Sequence, residues 1–523
     1  MRRPIPRVDP VTRALLPASP RSMSVPSPCL ARSPPSNIDP DGSVACVFGF
    51  CHLVTQLCNE FLFSEFGYCI KGVAGDLGRQ GNLALGPWRR NDVTAVNRMD
   101  DPVVPGSPDE INFLDPEVQE CPYPAYTVLR EQAPVWRDPI TGMYNITRYS
   151  DLRTVLLDTD NFPSERPRGQ GQFDDARARK IQALYKEKGW LPAATLAGRD
   201  DPNHKQMRSM FDHAFRAGKI RLLDPFVQAL AYRLVDAFID EGECDWVKQL
   251  AVPLPLIVIG KQMGAPEADI WRIKAWTDAW VQRLGMMQTE EEAIWSTEME
   301  IEAQHYFQKI FDRVRETPDE TLLSDMVNTV IPEWGRSLTN EELHAEMMAD
   351  TFVGGSETTT NALSAGIMLL GRDREVWEAL KSDPDKYLRT FIEEVLRLES
   401  PVQALFRVAR RDIDMHGVTI PAGAVINTRY AAANRDERHF ACPEKLDLTR
   451  RNAASHLAFG SGVHHCLGAP LARRELYWGF RAFIDRAEDF ELAPGRNDLR
   501  HAPNFALRAL KELHITFTKR RAA

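Results

Sequence analysis

A single cysteine in a glycine-rich loop is the most chemically suggestive feature of this chain. Residues 456–475 read HLAFGSGVHHCLGAPLARRE, in which Phe459, Gly460, Gly462, His464, Cys466 and Gly468 form Phe-Gly-x-Gly-x-His-x-Cys-x-Gly. A thiolate is a soft, electron-rich metal ligand. Glycines adopt backbone angles that other residues avoid and let the chain approach a ligand closely. A helix starting just after Cys466 would aim its free N–H groups and positive dipole end at the sulfur, keeping it ionised. Pro470 suits that helix, because the first N–H groups have no partner inside it. A second reading makes Cys466 a buried structural thiol, the usual fate of a free cysteine; six specified positions in ten argue against it. A zinc site on His464, His465 and Cys466 fits worse, since adjacent ligands span a tetrahedron poorly and no CxxC pair supports them.

Three other groupings have useful spacing. Residues 352–361, FVGGSETTTN, lie in the middle of a helical pattern that starts at LTNEE (338–342) and runs to about Gly371. Two glycines and three threonines are poor choices for a buried helix interior. Glycine leaves room for a ligand, and a threonine hydroxyl can bond back to a carbonyl, so the helix is expected to bulge here. Glu394 and Arg397 stand at i and i+3 in FIEEVLR, and His204 and Arg208 at i and i+4 in a helix opened by Asp201-Pro202-Asn203. Arginine offers a planar fork of donors suited to a carboxylate. Taken alone, each pair also reads as an ordinary solvated helix pair.

The elements that must position these groups are mostly helical. Helices are expected from Tyr123, over 149–157, near 176–187, through much of 222–316 and over 471–487. Short strands are expected around Val135, at 143–146, 417–420 and 424–428, and at 505–507 and 513–517. Trp271, Trp276 and Trp280 read as core packing.

The cysteine loop resembles the heme-binding loop of the cytochrome P450 family. GGSETT (354–359) looks like that family's Ala/Gly-Gly-x-Asp/Glu-Thr-Thr motif, with Gly354 where alanine is common. The resemblance covers roughly residues 99–523. It implies a mainly α fold with small β-sheets, holding heme b (iron protoporphyrin IX) between a long central helix and the cysteine loop. Cys466 would be the metal ligand, whose electron push favours O–O cleavage, with Phe459, Gly460 and Gly468 framing it. His204, Arg208, Arg407 and His464 would hold the heme propionates. Thr358 would hydrogen-bond dioxygen or its water, and Glu357 would feed protons inward. Glu394, Arg397 and Arg450 would form a buried framework, not a catalytic group. Gly354, Leu405 and Phe505 would face the substrate.

Composition agrees with an enzyme of this kind. The chain has 523 residues with 43% hydrophobic and 26% charged content, and a net charge of −9 that speaks against a nucleic-acid partner. The first 98 residues differ: eleven Lys+Arg stand against seven Asp+Glu, ten prolines fall within the first 40 positions, and five of the nine cysteines are here. Residues 46–70 are the only candidate membrane segment, but His52, Gln56, Asn59, Glu60 and Glu65 interrupt them, so no membrane anchor is expected. Residues 1–98 are expected to be a disordered or mis-started extension, with translation beginning at Met99 and the heme domain spanning 99–523. A cytoplasmic location is expected.

Only 49 residues follow Arg474, and the first 98 hold no nucleotide-binding fingerprint. Electrons are therefore expected from a separate protein, which the resemblance implies is a ferredoxin with its ferredoxin reductase. Arg473 and Arg474 are candidates for docking an acidic partner, or ordinary solubility charges. The function expected is insertion of one atom of dioxygen into a hydrophobic small molecule. A heme-thiolate peroxygenase or isomerase would often lack the acid–alcohol pair of Glu357 and Thr358. A heme-based gas sensor or binding protein would need no proton relay.

Overall fold

The longest helical run begins where its own sequence can satisfy its free N–H groups. Thr339 Oγ1 accepts from the Glu342 N–H at 3.3 Å, and Glu342 Oε2 accepts from the Thr339 N–H at 2.9 Å, a reciprocal cap. The computed structural model describes residues 104–165, 175–215 and 217–521. In it, Asn340–Ala345 in α register, Glu346–Glu357 in the wider π register and Thr358–Arg372 in α register follow one another without leaving helical backbone angles. The expected bulge is thus a twelve-residue π stretch. The expectation for residues 1–98 lies outside the described residues.

The other helices that position the site are Tyr149–Leu157, Asn203–Ala214, Ile270–Val281, Glu290–Glu316, Pro384–Leu398 and Ala469–Arg486. The last begins one residue after Gly468 and carries Pro470 in its first turn. It lies directly against the central helix through two interlocking pairs. A Cβ on Gly366 would fall 2.3 Å from Phe480 Cζ, and one on Gly479 would fall 2.8 Å from Leu363 Cδ2. Each glycine accepts the large side chain of the facing helix, so neither can grow without pushing the helices apart. Trp246 Nε1 donates to the Leu363 carbonyl at 3.2 Å and Thr360 Oγ1 to the Ala251 carbonyl at 2.9 Å, which fix the central helix from another side.

The strands are short and lie beside this helical body. Strands β1 (Val135–Arg137), β2 (Tyr144–Ile146), β4 (Leu405–Val408) and β7 (Val425–Thr428) form a sheet in the order β1-β2-β7-β4, in which only the β2 and β7 pairing is parallel. Strands β3 (Glu243–Asp245), β8 (Ala487–Leu492) and β9 (His514–Lys519) form a second sheet, and β5 (Ile413–Met415) with β6 (Val418–Ile420) a hairpin. Residues 505–507 are not a strand. Only Leu507 bridges, to Val402, because Asn504 Oδ1 accepts the N–H groups of Ala506 (2.9 Å) and Leu507 (3.0 Å) that a ladder would use. The main core runs between Trp246, the central helix, Pro384–Leu398 and Ala469–Arg486. Trp276 is buried in it, whereas Trp271 is 51% exposed, contrary to its reading as core.

Candidate active site

The cysteine loop is shaped by positive-φ glycines and pinned at both ends. Gly460 (φ 69°) and Gly462 (φ 72°) turn the chain, and the Cys466 N–H donates back to the Phe459 carbonyl at 2.9 Å. A Cβ on Gly462 would come within 3.0 Å of the Leu156 carbonyl, so the loop lies flush on the end of Tyr149–Leu157. Arg208 reaches over from Asn203–Ala214 and donates to the carbonyls of Val463 (2.7 Å) and His465 (2.8 Å). Burial pushes the Cys466 thiol up, while the N–H groups of Gly468 and Ala469 and the charges of Arg208 and Arg473 pull it down; burial prevails. The helix N-terminus alone therefore does not keep the sulfur ionised, and binding a metal ion would supply the remaining drive. The sulfur lies deep among protein atoms, yet the residue is solvent-reachable. These two facts agree if a cleft, rather than the outer surface, leads to it.

The same cleft follows from the two facing helices. Reading toward their N-termini, Gly366 meets Phe480, Leu363 meets Gly479, and Thr359 meets Glu475. The next positions are Thr358 and Gly354 on one side and the cysteine loop on the other. Here burial stops: Gly354 is exposed and Thr358 half-buried, although residues 351–353, Ser356 and Glu357 are buried. Leu405 and Val463 are exposed apolar residues, at 40% and 45%. The Thr358 hydroxyl donates to the Gly354 carbonyl at 2.9 Å.

Around the loop the structure gathers the donors that the sequence singled out. The rings of His204 and His464 lie 4.2 Å apart. His204 is 2% exposed, and neither ring nitrogen has a hydrogen-bond partner among the described residues; Asp201 Oδ1 stands 3.5 Å from Nδ1 without making one. Burial, with the neighbouring His464 and Arg208 charges, lowers His204 to about 4, so within this pair Arg208 carries the charge. His464 Nε2 lies 3.2 Å from Ser164 Oγ and 3.6 Å from Asp200 Oδ1. Arg407 on β4 is buried, with Nη1 on the Phe406 carbonyl at 2.9 Å and Nε without an acceptor. Phe459 lies under the Arg473 guanidinium at 4.5 Å.

A cysteine held in a glycine-turned loop, with orphaned buried donors on His204 and Arg407, suits a metal-centred group that carries acids at its edge. Comparison with known proteins decides the matter. Residues 285–508 match the family Cytochrome P450. The cytochrome P450 monooxygenase PikC of Streptomyces venezuelae is 33% identical over 79% of this chain and 95% of its own. The chain belongs to the cytochrome P450 family. A steroid C26-monooxygenase of Mycobacterium tuberculosis is 31% identical over 75% of this chain and 93% of its own. Among solved structures, the Bacillus subtilis polyketide synthase P450 PksS superposes with a TM-score of 0.68 at 30% identity, over 78% of this chain and all of its own. P450 proteins bind heme b, and this one is an oxidoreductase of the monooxygenase type.

Glu357 is 5% exposed and is held from the helix Ile270–Val281. Thr277 Oγ1 donates to its Oε1 at 2.8 Å, and Lys274 Nζ lies 3.2 Å from the same oxygen. Lys274 also pairs with Asp278. Side-chain exposure rises along the series, from 7% at Glu357 through 17% at Lys274 to 53% at Asp278. Polar groups thus lead from the P450 central helix to solvent. Sequence reasoning missed Lys274 and Thr277; the i and i+4 spacing of Lys274 and Asp278 was the available signal.

Glu394, Arg397 and Arg450 meet. Arg397 Nε donates to Glu394 Oε1 at 2.7 Å, and Arg450 Nε to Oε2 at 3.0 Å. Arg473 and Arg474 are each ion-paired within the chain, with side chains 33% and 31% exposed. Arg473 forks onto Glu393 (2.6 and 2.9 Å), and Arg474 onto Asp224 (2.5 and 2.6 Å). Phe505 is buried and stacks parallel to Phe406 at 6.3 Å.

Glu475 was also missed. It is 1% exposed, and burial pushes its carboxyl up to about 8 against a lowering hydrogen bond with Thr359. The folded chain therefore keeps a proton that the unfolded chain releases above its ordinary 4.5, so this group's contribution to stability falls as pH rises from about 4.5 to 8. Glu475→Gln is expected to leave stability nearly unchanged near pH 5 and to raise it by about 3 kcal/mol at pH 8. Urea unfolding of both proteins across this range checks it; a difference that does not vary with pH would show that Glu475 does not titrate there.

Proposed function

We propose that this P450 hydroxylates a hydrophobic small molecule, taking electrons from a ferredoxin-type protein. The observation that carries the reading is the polar series from Asp278 through Lys274 and Glu357 to the Thr358 turn. When one oxygen atom of dioxygen enters C–H and the other leaves as water, two electrons and two protons are consumed. A gas sensor needs no such supply of protons. A peroxide-driven enzyme or an isomerase needs no net proton uptake.

Bound heme supplies the oxygen-activating and electron-accepting chemistry. In the proposed division of labour, Cys466 is its ligand, Phe459, Gly460 and Gly468 shape the bed beneath it, and His204, His464 and Arg407 bind its carboxylates. Arg208 acts mainly on the loop carbonyls. Thr358 presents a hydroxyl to the cleft, and its bond to the Gly354 carbonyl orients the oxygen lone pairs. Glu357, steadied by Thr277 and Lys274, receives protons from the surface and passes them inward. Glu394, Arg397 and Arg450 keep the cysteine-side loops rigid. Gly354 and Leu405 line the substrate side, and Phe505 backs the Phe406 wall. Relatives named for steroid and polyketide chemistry support a hydrophobic substrate.

The electron donor is proposed to dock on the cysteine side. Arg153 and Lys205 are exposed cations on the two helices that touch the loop, which favours an acidic partner. Among the described residues no helix is long and apolar enough to cross a membrane.

Thr358→Ala tests the function directly. Electron consumption is expected to continue while product per electron pair falls about tenfold or more, with hydrogen peroxide in its place, since the variant loses the acceptor that positions the incoming proton, and positioned proton transfer is typically worth 10²–10⁴ in rate. Unchanged coupling in the variant would remove Thr358 from the reaction and with it the reading above.

A further inference from the structure

Arg429, just after β7, is 1% exposed and has no ion-paired carboxylate among the described residues. Its guanidinium lies between two aromatic faces, 3.9 Å from the Phe113 centroid and 4.4 Å from that of Phe505. Nε donates to Asn145 Oδ1 at 2.8 Å, but Nη2 is fully buried and meets no acceptor. The Tyr126 hydroxyl stands beside the guanidinium, and its own hydrogen bond goes to Gln403 Oε1 at 3.4 Å. Asp138 is near enough for its charge to act on Arg429, and its oxygens already accept from the Ile140 and Thr141 N–H groups and the Thr141 hydroxyl. A guanidinium does not escape burial by losing its proton.

Arg429 lines a cavity of about 20 Å³, room for one group of about water size. The other titratable groups at its wall are Tyr126, His501 and Arg508, and no carboxylate lines it. Arg508 is held from behind by Glu399 at 2.8 Å, and His501 by Glu120 at 3.0 Å, so both acids are occupied away from Arg429. A confined space with an unpaired buried cation at its wall and no acid facing it attracts negative charge.

We propose that this cavity binds a single small anion of halide size, held by Arg429. The anion sits against the part of the guanidinium that lines the cavity and balances a buried charge that has no ion-paired carboxylate among the described residues. It also steadies a column of stacked groups, because Phe505 rests on Arg429 and lies parallel to Phe406 on β4, whose next residue is the heme-side Arg407.

The test uses the full heme-loaded protein. Crystals grown in bromide are expected to show an anomalous peak in this cavity, within hydrogen-bond distance of the Arg429 guanidinium. In solution, the midpoint of thermal unfolding is expected to rise by several degrees with chloride or bromide, relative to gluconate at equal ionic strength, and to climb with the logarithm of halide concentration. Arg429→Gln should abolish both effects. No anomalous peak in the parent would overturn the proposal even if the variant fails to fold. A peak without a halide effect that depends on Arg429 would mark an adventitious ion only, and would overturn it equally.

Discussion

The reduced, carbon monoxide-treated parent is expected to give a strongly red-shifted Soret band, and Cys466→His is expected to abolish it and to cut product formation at least about a hundredfold, equivalent to about 2.7 kcal/mol of activation free energy. The reasoning starts at the sulfur. Burial raises the thiol, and the N–H groups of Gly468 and Ala469 with Arg208 and Arg473 only partly offset it. A metal held here displaces the proton and gains an anionic, electron-rich ligand. Imidazole is neutral and pushes less density onto the metal, so it can retain the heme while losing the chemistry. The spectrum and the turnover therefore separate ligation from folding. A histidine-type band in parent and variant alike would mean that Cys466 is not the ligand, and the assignment of the whole loop would fall with it.

What could be read in advance was what lay close together in the chain. The cysteine loop compresses ligand, glycine turns and helix start into some ten residues, so its pattern is visible without knowing what packs on it. The same holds for the helix Tyr149–Leu157 and for the reciprocal cap of Thr339 and Glu342. Glycines and threonines at 354–360 signalled a loosened helix, but not that the π register would extend back to Glu346. Long-range pairing was hidden. Arg473 meets an acid 80 positions away and Arg474 one 250 positions away, so two part-exposed charges also tie distant helices together. The Lys274 contact to Glu357 spans 83 positions and was equally invisible. Local side-chain bonds misled in the other direction. Residues 505–507 have a strand's composition, yet Asn504 takes the N–H groups that pairing would need. The unusual height of the Glu475 carboxyl depends on the helix lying over it, which no spacing within 456–475 reveals.

Glu394→Gln is expected to destabilise the protein by about 3–5 kcal/mol, because it leaves two buried guanidinium groups without their shared carboxylate. That is a large part of the roughly 5–15 kcal/mol that holds a domain folded. Both side chains of the Glu394 and Arg397 pair are fully buried, and Arg450 is nearly so. The network reaches further than three residues. Arg397 also donates to the carbonyls of Asn434, Pro443 and Lys445, and Arg450 to those of Ala441, Cys442 and Lys445. Asn434 in turn accepts the Leu457 N–H through its side chain at 2.6 Å, two residues before Phe459. Loosening Glu394 should thus reach the cysteine loop, so heme is expected to dissociate at lower urea concentration than the helices unfold, whereas in the parent both losses should coincide. A surface pair sets the scale: Glu290→Gln removes a bridge to Lys180 whose side chains are 43% and 59% exposed, and should change stability by less than about 1 kcal/mol. Equal small effects from both substitutions, with heme loss and unfolding still coincident, would show that the triad does not support the heme site.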